Sequence, residues 1–113
     1  MNAATRVRVR ERAGHRCEYC QLHQDDSPLA ALHVEHITPK IHGGTDVFDN
    51  LALACIDCNL HKGPNLTGID PRTKRLAKLF HPRLQRWDEH FEWRGLYLAG
   101  KTAIGRTTIR SSI

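Results

Sequence analysis

The sequence predicts a single small domain of the α+β class that is held together by a cross-link. Its length of 113 residues fits one domain and limits the size of the buried core, so a cross-link is physically useful. Short apolar runs at residues 29–37 and 51–53 and a helical segment at residues 56–62 predict the order strand, long loop, strand, helix. Four cysteines accompany these elements as two Cys-x-x-Cys pairs, Cys17/Cys20 and Cys55/Cys58.

The N-terminal segment, residues 1–16, is predicted to be helical. Residues 5–14 are rich in Arg and Glu and stop at Gly14, which is typical of a helix with a glycine cap, although the alternation at residues 7–10 also fits a strand. The first cysteine pair predicts a knuckle-like turn. Breaks in the core are then expected at Pro39 and Gly43–Gly44, in a loop at residues 46–50, and at Gly63–Pro64.

Residues 66–113 are predicted to extend this core. Leu76, Leu79 and Phe80 recur at helical spacing, which predicts a basic helix that ends at His81–Pro82. Beyond it we expect a helical turn at residues 87–90, a β-hairpin around Arg94–Gly95 and a final short helix at residues 102–113. The aromatic residues of this extension are expected to be packing groups.

The positive charge of the chain lies in its C-terminal half. The net charge is +5, and residues 57–113 alone carry eleven Lys and Arg against five Asp and Glu. Such a density attracts a polyanion such as a phosphate backbone, although an ordinary solvated surface is the alternative. The candidate nucleic-acid contacts are Arg72, Lys74, Arg75 and Lys78.

The cysteine pairs predict a structural zinc site, with one Zn²⁺ per chain. Two close pairs can each chelate from one tight turn and then close around a tetrahedral ion. The first residues lack the apolar core of a secretory signal and no segment is apolar enough to span a membrane, so we expect a cytoplasmic protein with reduced thiols. Two disulfides or two thiol redox sites are the weaker alternatives.

The two cysteine pairs, the Glu35-His36 step between them, and Asn50 and Asn59 together resemble the HNH endonuclease family. The family fold is the ββα-metal motif, so the resemblance implies a small zinc-stapled, treble-clef-like domain at residues 17–65, with the C-terminal helix and β-hairpin extension completing one nuclease domain over residues 1–113. The resemblance in the core is carried by Glu35-His36-Ile37, Gly43-Gly44, Asp49-Asn50-Leu51, Cys55-x-x-Cys58-Asn59 and Lys62-Gly63. In the tail it resembles one bacterial subgroup through Leu79 to Arg83, Trp87, His90-Phe91, Trp93 and Gly105-Arg106.

The resemblance implies a role for each matching residue. His36 would be the general base that activates water, which suits an imidazole because it titrates near neutrality. Asn50 would hold the loop that presents His36, by bonding either backbone or the imidazole. Glu35, at a position where the family often has Asp or His, and Asn59 would bind a catalytic Mg²⁺ or Mn²⁺ ion. Lys62 would meet a phosphate, with a solvated lysine as the alternative.

The predicted function is hydrolysis of DNA phosphodiester bonds by a metal-dependent endonuclease, with RNA not excluded as a substrate. The second hypothesis is a zinc-stabilised nucleic-acid-binding module without catalytic activity. The set Glu35, His36, Asn50 and Asn59 favours the nuclease, because a module that only binds has no physical need for it. No membrane partner is expected, and the chain could act as a monomer or a homodimer.

Overall fold

The computed structural model describes residues 1–109 and contains the predicted mixture of short helices and short strands. The last four residues of the final predicted helix, 110–113, lie outside this range. None of the described helices is both long and apolar enough to cross a membrane. The α-helices and strands follow in the order α1 (Ala3–Arg12), β1 (His33–His36), β2 (Leu51–Ala54), α2 (Ile56–Lys62), β3 (Thr67–Ile69), β4 (Leu76–Lys78), α3 (Trp87–His90), β5 (Phe91–Arg94), β6 (Tyr97–Gly100) and α4 (Ala103–Thr108).

The strands form three separate antiparallel pairs, β1–β2, β3–β4 and β5–β6. In the first pair His36 lies opposite Leu51 and Glu35 opposite Ala52. Strand β2 is buried along its whole length, whereas in β1 only Glu35 is buried, His33 is exposed, and Val34 and His36 are half-buried. The predicted α+β class is therefore confirmed, and the ribbon β1–β2 followed by α2 gives the predicted strand, loop, strand, helix order.

Helix α1 confirms the helical interpretation of residues 5–14 and excludes the strand. The side chain of Asn2 caps its start by accepting from Thr5 N at 2.8 Å. Its end is a Schellman motif, in which Gly14 N donates to Glu11 O and His15 N to Arg10 O, with Gly14 at φ +63°. The motif satisfies the last carbonyls, so the chain can turn into the first cysteine pair.

A single hydrophobic core joins the cysteine-bearing half of the chain to the extension. Tyr19 packs edge-on against Phe80, Phe80 against Phe91, and Phe91 stacks on Trp87. The expected packing role is confirmed for Phe80 and Phe91, which are buried. The residues of this core are Val9, Cys17, Tyr19, Leu32, Leu51, Leu53, Ala54, Cys55, Phe80, Phe91 and Ile109.

The packing expectation is wrong for two aromatic residues of the β5–β6 hairpin. Trp93 and Tyr97 are more than half exposed, at 51% and 59%. The hairpin itself is confirmed, with the turn at residues 95–96 and Trp93 paired with Leu98. Helix α4, Ala103–Thr108, confirms the start of the final predicted helix, but the helix ends at Thr108, because Ile109 has extended backbone angles.

The predicted basic helix ending at His81–Pro82 is wrong, because its first residues form strand β4 of a hairpin with β3. Ile69 pairs with Leu76, which is 69% exposed, so the apparent helical spacing of Leu76, Leu79 and Phe80 does not mark one buried face. The buried side chain of Asp70 accepts from Arg72 N at 3.0 Å and so folds the turn. The Asp70 carboxylate is also held by Arg106 of α4, so a contact distant in sequence stabilises the hairpin over the predicted helix.

Candidate active site

The four cysteines converge on one point, as the sequence predicted. All four Sγ atoms lie within 4.8 Å of one another, and Cys20 and Cys55 are 3.6 Å apart. A tetrahedron with Zn–S bonds of about 2.3 Å has edges of about 3.8 Å, so the cluster is positioned to hold one zinc ion. All four cysteines are free in the structure, which favours the metal site over the disulfide alternative.

The turns around the sulfurs suit a metal site. Cys20 N approaches Cys17 Sγ at 3.5 Å and Cys58 N approaches Cys55 Sγ at 3.4 Å, so each pair orients its first sulfur through a backbone amide. Hydrogen bonds from Cys20 lower the pKa of Cys17 to about 7, whereas hydrogen bonds to Cys17 raise the pKa of Cys58. Four crowded thiolates require a compensating cation, and a dication with soft-ligand affinity supplies it.

Glu35 points into the protein between β1 and α2. Its carboxylate lies 3.3 Å from Lys62 Nζ and accepts a hydrogen bond from the hydroxyl of buried Tyr19. Burial raises the pKa of Glu35, while the Lys62 charge opposes that shift. A carboxylate with so little water around it holds a cation strongly, and here the cation is the ammonium of Lys62.

The expectation that Lys62 is either solvated or in contact with a phosphate is corrected by this arrangement. The side chain is 7% exposed, and its ammonium also donates to His36 O at 3.2 Å. Lys62 therefore ties the end of α2 to β1. Asn59 is half-buried and lies three residues earlier on α2, so it shares the helix face from which Lys62 reaches Glu35.

His36 ends β1 and is held by a residue that the sequence did not single out. Its Nε2 lies 2.6 Å from Asp46 Oδ1, and because a carboxylate only accepts, Nε2 carries the hydrogen. The same hydrogen bond lowers the pKa of Asp46, so this carboxylate is charged at neutral pH. Asp46 follows His36 by ten residues within an irregular loop, and no periodicity could have linked the two.

The loop between these residues is fixed by Asn50 and Gly44. Asn50 Oδ1 accepts from Thr38 N at 2.8 Å, and Asn50 Nδ2 donates to Thr38 O at 3.1 Å and to Thr45 O at 2.8 Å. The Asn50 amide was expected to bond either the backbone or the His36 imidazole, and it bonds the backbone. A Cβ at Gly44 would lie 1.7 Å from Thr38 O, so only glycine lets the loop close this tightly.

The segment that contains this geometry is similar to a known protein family. The model of the HNH endonuclease family matches residues 17–65. This segment is therefore similar to an HNH endonuclease domain. The match spans both cysteine pairs, β1, β2 and α2, and it indicates a nuclease family. No curated protein and no solved structure matches the chain.

The predicted basic contacts lie beyond the matched segment, on the β3–β4 hairpin. Arg72, Lys74 and Arg75 occupy or border its turn, and Lys78 lies on β4. All four side chains are exposed, as contact with a polyanion requires. They therefore form a cationic surface that begins seven residues after the last matched residue, Asn65.

A cavity of about 650 Å³ lies beside the cysteine cluster. Cys20, Cys55 and Cys58 line it together with Trp93 and Tyr97, whereas His36, Asn50 and Asp46 do not. His36 thus stands outside the enclosed space. A half-buried imidazole, 21% exposed, that does not line this cavity suits an extended substrate better than a small molecule.

Proposed function

We propose that the chain is a metal-dependent endonuclease that hydrolyses phosphodiester bonds of DNA. The observation that carries this proposal is the pairing of His36 with Asp46 at the end of β1, inside a segment that matches the HNH family. The pairing orients an accessible imidazole next to the helix that the cysteines anchor. A module that only binds nucleic acid needs no such oriented base.

His36 is proposed to take the proton from the attacking water. Because Nε2 donates to Asp46, Nδ1 is the ring nitrogen with a free lone pair, and it can accept the proton of the water. The water oxygen then bonds to phosphorus while the bond to the 3′-oxygen breaks, and the 3′-oxygen leaves as an alkoxide that takes a proton from solvent water. The products are a 5′-phosphate and a 3′-hydroxyl, and His36 later releases its proton to solvent. Asp46 keeps the imidazole in the correct tautomer and stabilises the imidazolium that forms. Positioned proton transfer of this kind contributes about 10² to 10⁴ in rate.

Glu35 and Asn59 are proposed to hold the catalytic Mg²⁺ or Mn²⁺ ion. Their carboxylate and amide oxygens are the donors that such ions prefer, and they lie on β1 and α2, two elements in contact. Glu35 is paired with Lys62 at 3.3 Å, so a divalent ion bound there would displace this ammonium or share the carboxylate with it. A bound divalent ion would supply Lewis acidity that stabilises charge on the leaving oxygen.

The zinc ion is proposed to affect the reaction only by fixing the position of helix α2. Cys55 caps the start of α2 and Cys58 lies within its first turn, directly before Asn59. Fixing both sulfurs therefore fixes the helix that carries Asn59 and Lys62. Residues that orient a reacting group in this way can control its activity without touching the substrate.

The test is cleavage of supercoiled plasmid DNA by the purified protein with Mg²⁺ or Mn²⁺. We expect nicking or cutting by the wild type and a loss of about 10² to 10⁴ in rate for His36→Ala, with zinc content and far-UV circular dichroism unchanged. The matched control is His33→Ala, because His33 is an exposed histidine on the same strand. This control is expected to cut at close to the wild-type rate.

Two outcomes would contradict the proposal in different ways. Equal cleavage by wild type and His36→Ala would remove His36 from the mechanism. Binding of DNA by the wild type without cleavage, under every metal condition, would instead support the inactive nucleic-acid-binding module.

A further inference from the structure

The β3–β4 hairpin, residues 67–78 and here called the basic arm, has two different faces. Gly68 and Ala77 lie opposite each other on the face toward α4, where a Cβ on Gly68 would come within 2.9 Å of the Thr107 side chain. The other face carries the cross-strand pairs Thr67–Lys78 and Ile69–Leu76. Ile69 and Leu76 are 58% and 69% exposed. The arm is thus docked on one side and open on the other.

The turn of the basic arm is rigidly anchored. Asp70 is fully buried and accepts two hydrogen bonds from Arg106 of α4, at 3.0 and 2.8 Å. The same carboxylate accepts from Arg72 N and from Thr73 Oγ1, both at 3.0 Å. Because the turn is fixed before any ligand arrives, little conformational entropy is lost on binding.

The charge of the basic arm is uncompensated. Arg72, Lys74, Arg75 and Lys78 are exposed, and none of them forms an ion pair with a described residue. Asp70 is the one acidic residue between positions 64 and 80, and Arg106 already neutralises it. Four cations therefore surround an apolar pair with no local anion to satisfy them.

We infer that the basic arm binds duplex DNA, with the Ile69–Leu76 face in the major groove and the four cations on the flanking phosphates. This inference rests on the proposed function for the class of substrate, and it names the form of DNA and the element that holds it. A two-stranded ribbon fits the major groove of B-form DNA, and apolar side chains there contact thymine methyl groups. The major groove of A-form RNA is too narrow and deep for such a ribbon.

The test measures binding, so it does not depend on cleavage. The affinity of the full chain for a 20-base-pair DNA duplex is measured by fluorescence anisotropy at several salt concentrations, without added divalent ions. The arm variant replaces Arg72, Lys74, Arg75 and Lys78 by Gln. Each lost phosphate contact flattens the slope of log K against log salt by about 0.9, so the slope should flatten by about 3.6.

A matched control separates the location of the charge from its amount. The control variant also removes four exposed cations, all of them outside the arm, by replacing Arg6, Arg86, Arg94 and Lys101 with Gln. Both variants lower the net charge equally. The control is expected to flatten the slope by less than about 1, since general attraction is weak without direct phosphate contacts.

A third variant, Ile69→Ser/Leu76→Ser, tests the apolar pair. It should lower the affinity for duplex DNA by about tenfold with the salt slope unchanged, because it removes groove contacts but no charge. Its zinc content and circular dichroism should match the wild type, since both side chains are exposed.

Several results would overturn the inference. They are equal slopes for the arm and control variants, equal or tighter binding of single-stranded DNA or of an RNA duplex, and binding of vesicles with anionic lipid in place of DNA. Cleavage by the wild type with unchanged binding by the arm variant would reject the arm and keep the nuclease. Weakened binding by the arm variant in a protein that never cuts DNA would keep the arm and reject the nuclease.

Discussion

The buried pair of Glu35 and Lys62 makes a quantitative prediction about stability. The two charges lie 3.3 Å apart, and each side chain is 7% exposed. Lys62→Met removes the ammonium, keeps a similar side-chain volume and leaves a buried carboxylate with Tyr19 as its remaining partner. The variant should therefore be destabilised through Glu35, and the size of the effect can be bounded.

Two energies compete in setting this bound. Coulomb attraction at 3.3 Å is worth about 5 kcal/mol with an effective dielectric constant of about 20. The stranded carboxylate can instead take a proton, and from an ordinary pKa of 4.5 this costs about 3.4 kcal/mol at pH 7. Because protonation costs less than the lost attraction, it sets the upper limit on the loss of unfolding free energy. Because burial already raises the pKa of Glu35 in the wild type, we expect a loss of about 2–3 kcal/mol.

The assay is thermal unfolding of zinc-loaded protein at pH 7 and pH 5. For a domain of this size the loss should lower Tm by about 8–12 °C at pH 7. Loss of Lys62 raises the pKa of folded Glu35 further, so the folded variant binds a proton that the unfolded chain lacks. Its stability relative to wild type should then rise as the pH falls toward 4.5, and the deficit should be small at pH 5.

The double variant Glu35→Gln/Lys62→Met provides the control, because it removes both charges. It should regain most of the lost stability at pH 7, and its difference from wild type should not depend on pH. If the single and double variants unfold at the same temperature, the stranded carboxylate is not the cause of the loss. A deficit of Lys62→Met that is equal at both pH values would refute the protonation argument.

Three further predictions concern the metal, the loop and the core. Elemental analysis should find one zinc per chain, and chelation should unfold the protein until stoichiometric Zn²⁺ is restored, because the cluster forms only in the folded state. Gly44→Ala should slow plasmid cleavage by about 10²-fold at unchanged zinc content, because its Cβ displaces the loop between His36 and Asp46. Phe80→Ala should cost about 3–5 kcal/mol in urea unfolding, because Phe80 is buried between Tyr19 and Phe91; a loss below about 1 kcal/mol would contradict this.

The zinc-binding half of the fold could be predicted because its signals are local. Each Cys-x-x-Cys pair needs only one turn, and Gly63 ends α2 at the residue expected. Helix α2 has the predicted bounds, Ile56–Lys62. Strands β1 and β2 lie within or beside the predicted apolar runs. Sequence spacing is sufficient where the partners are close along the chain or share a metal ion.

The remaining features depend on partners that are distant in sequence. The β3–β4 turn is fixed by Arg106, 36 residues beyond Asp70, so the spacing of Leu76, Leu79 and Phe80 gave a wrong helix. Lys62 is buried because Glu35 lies 27 residues earlier on the facing strand. The partner of His36 is likewise set by the path of an irregular loop. Tertiary contacts of this kind produce no periodic pattern in the sequence, so they could not be predicted from it.

The core has a consequence for attempts to isolate or graft the zinc-binding segment. Trp87 Nε1 donates to Tyr19 O at 2.9 Å, and Arg83 pairs with Glu18, so the knuckle of the first cysteine pair rests on residues beyond position 65. A fragment that stops at residue 65 would expose the ring of Tyr19, which is 2% exposed in the whole chain, and remove the ion-pair partner of Glu18, Arg83. The extension is therefore a scaffold for the segment before it, and a portable version of this domain must include residues through Phe91.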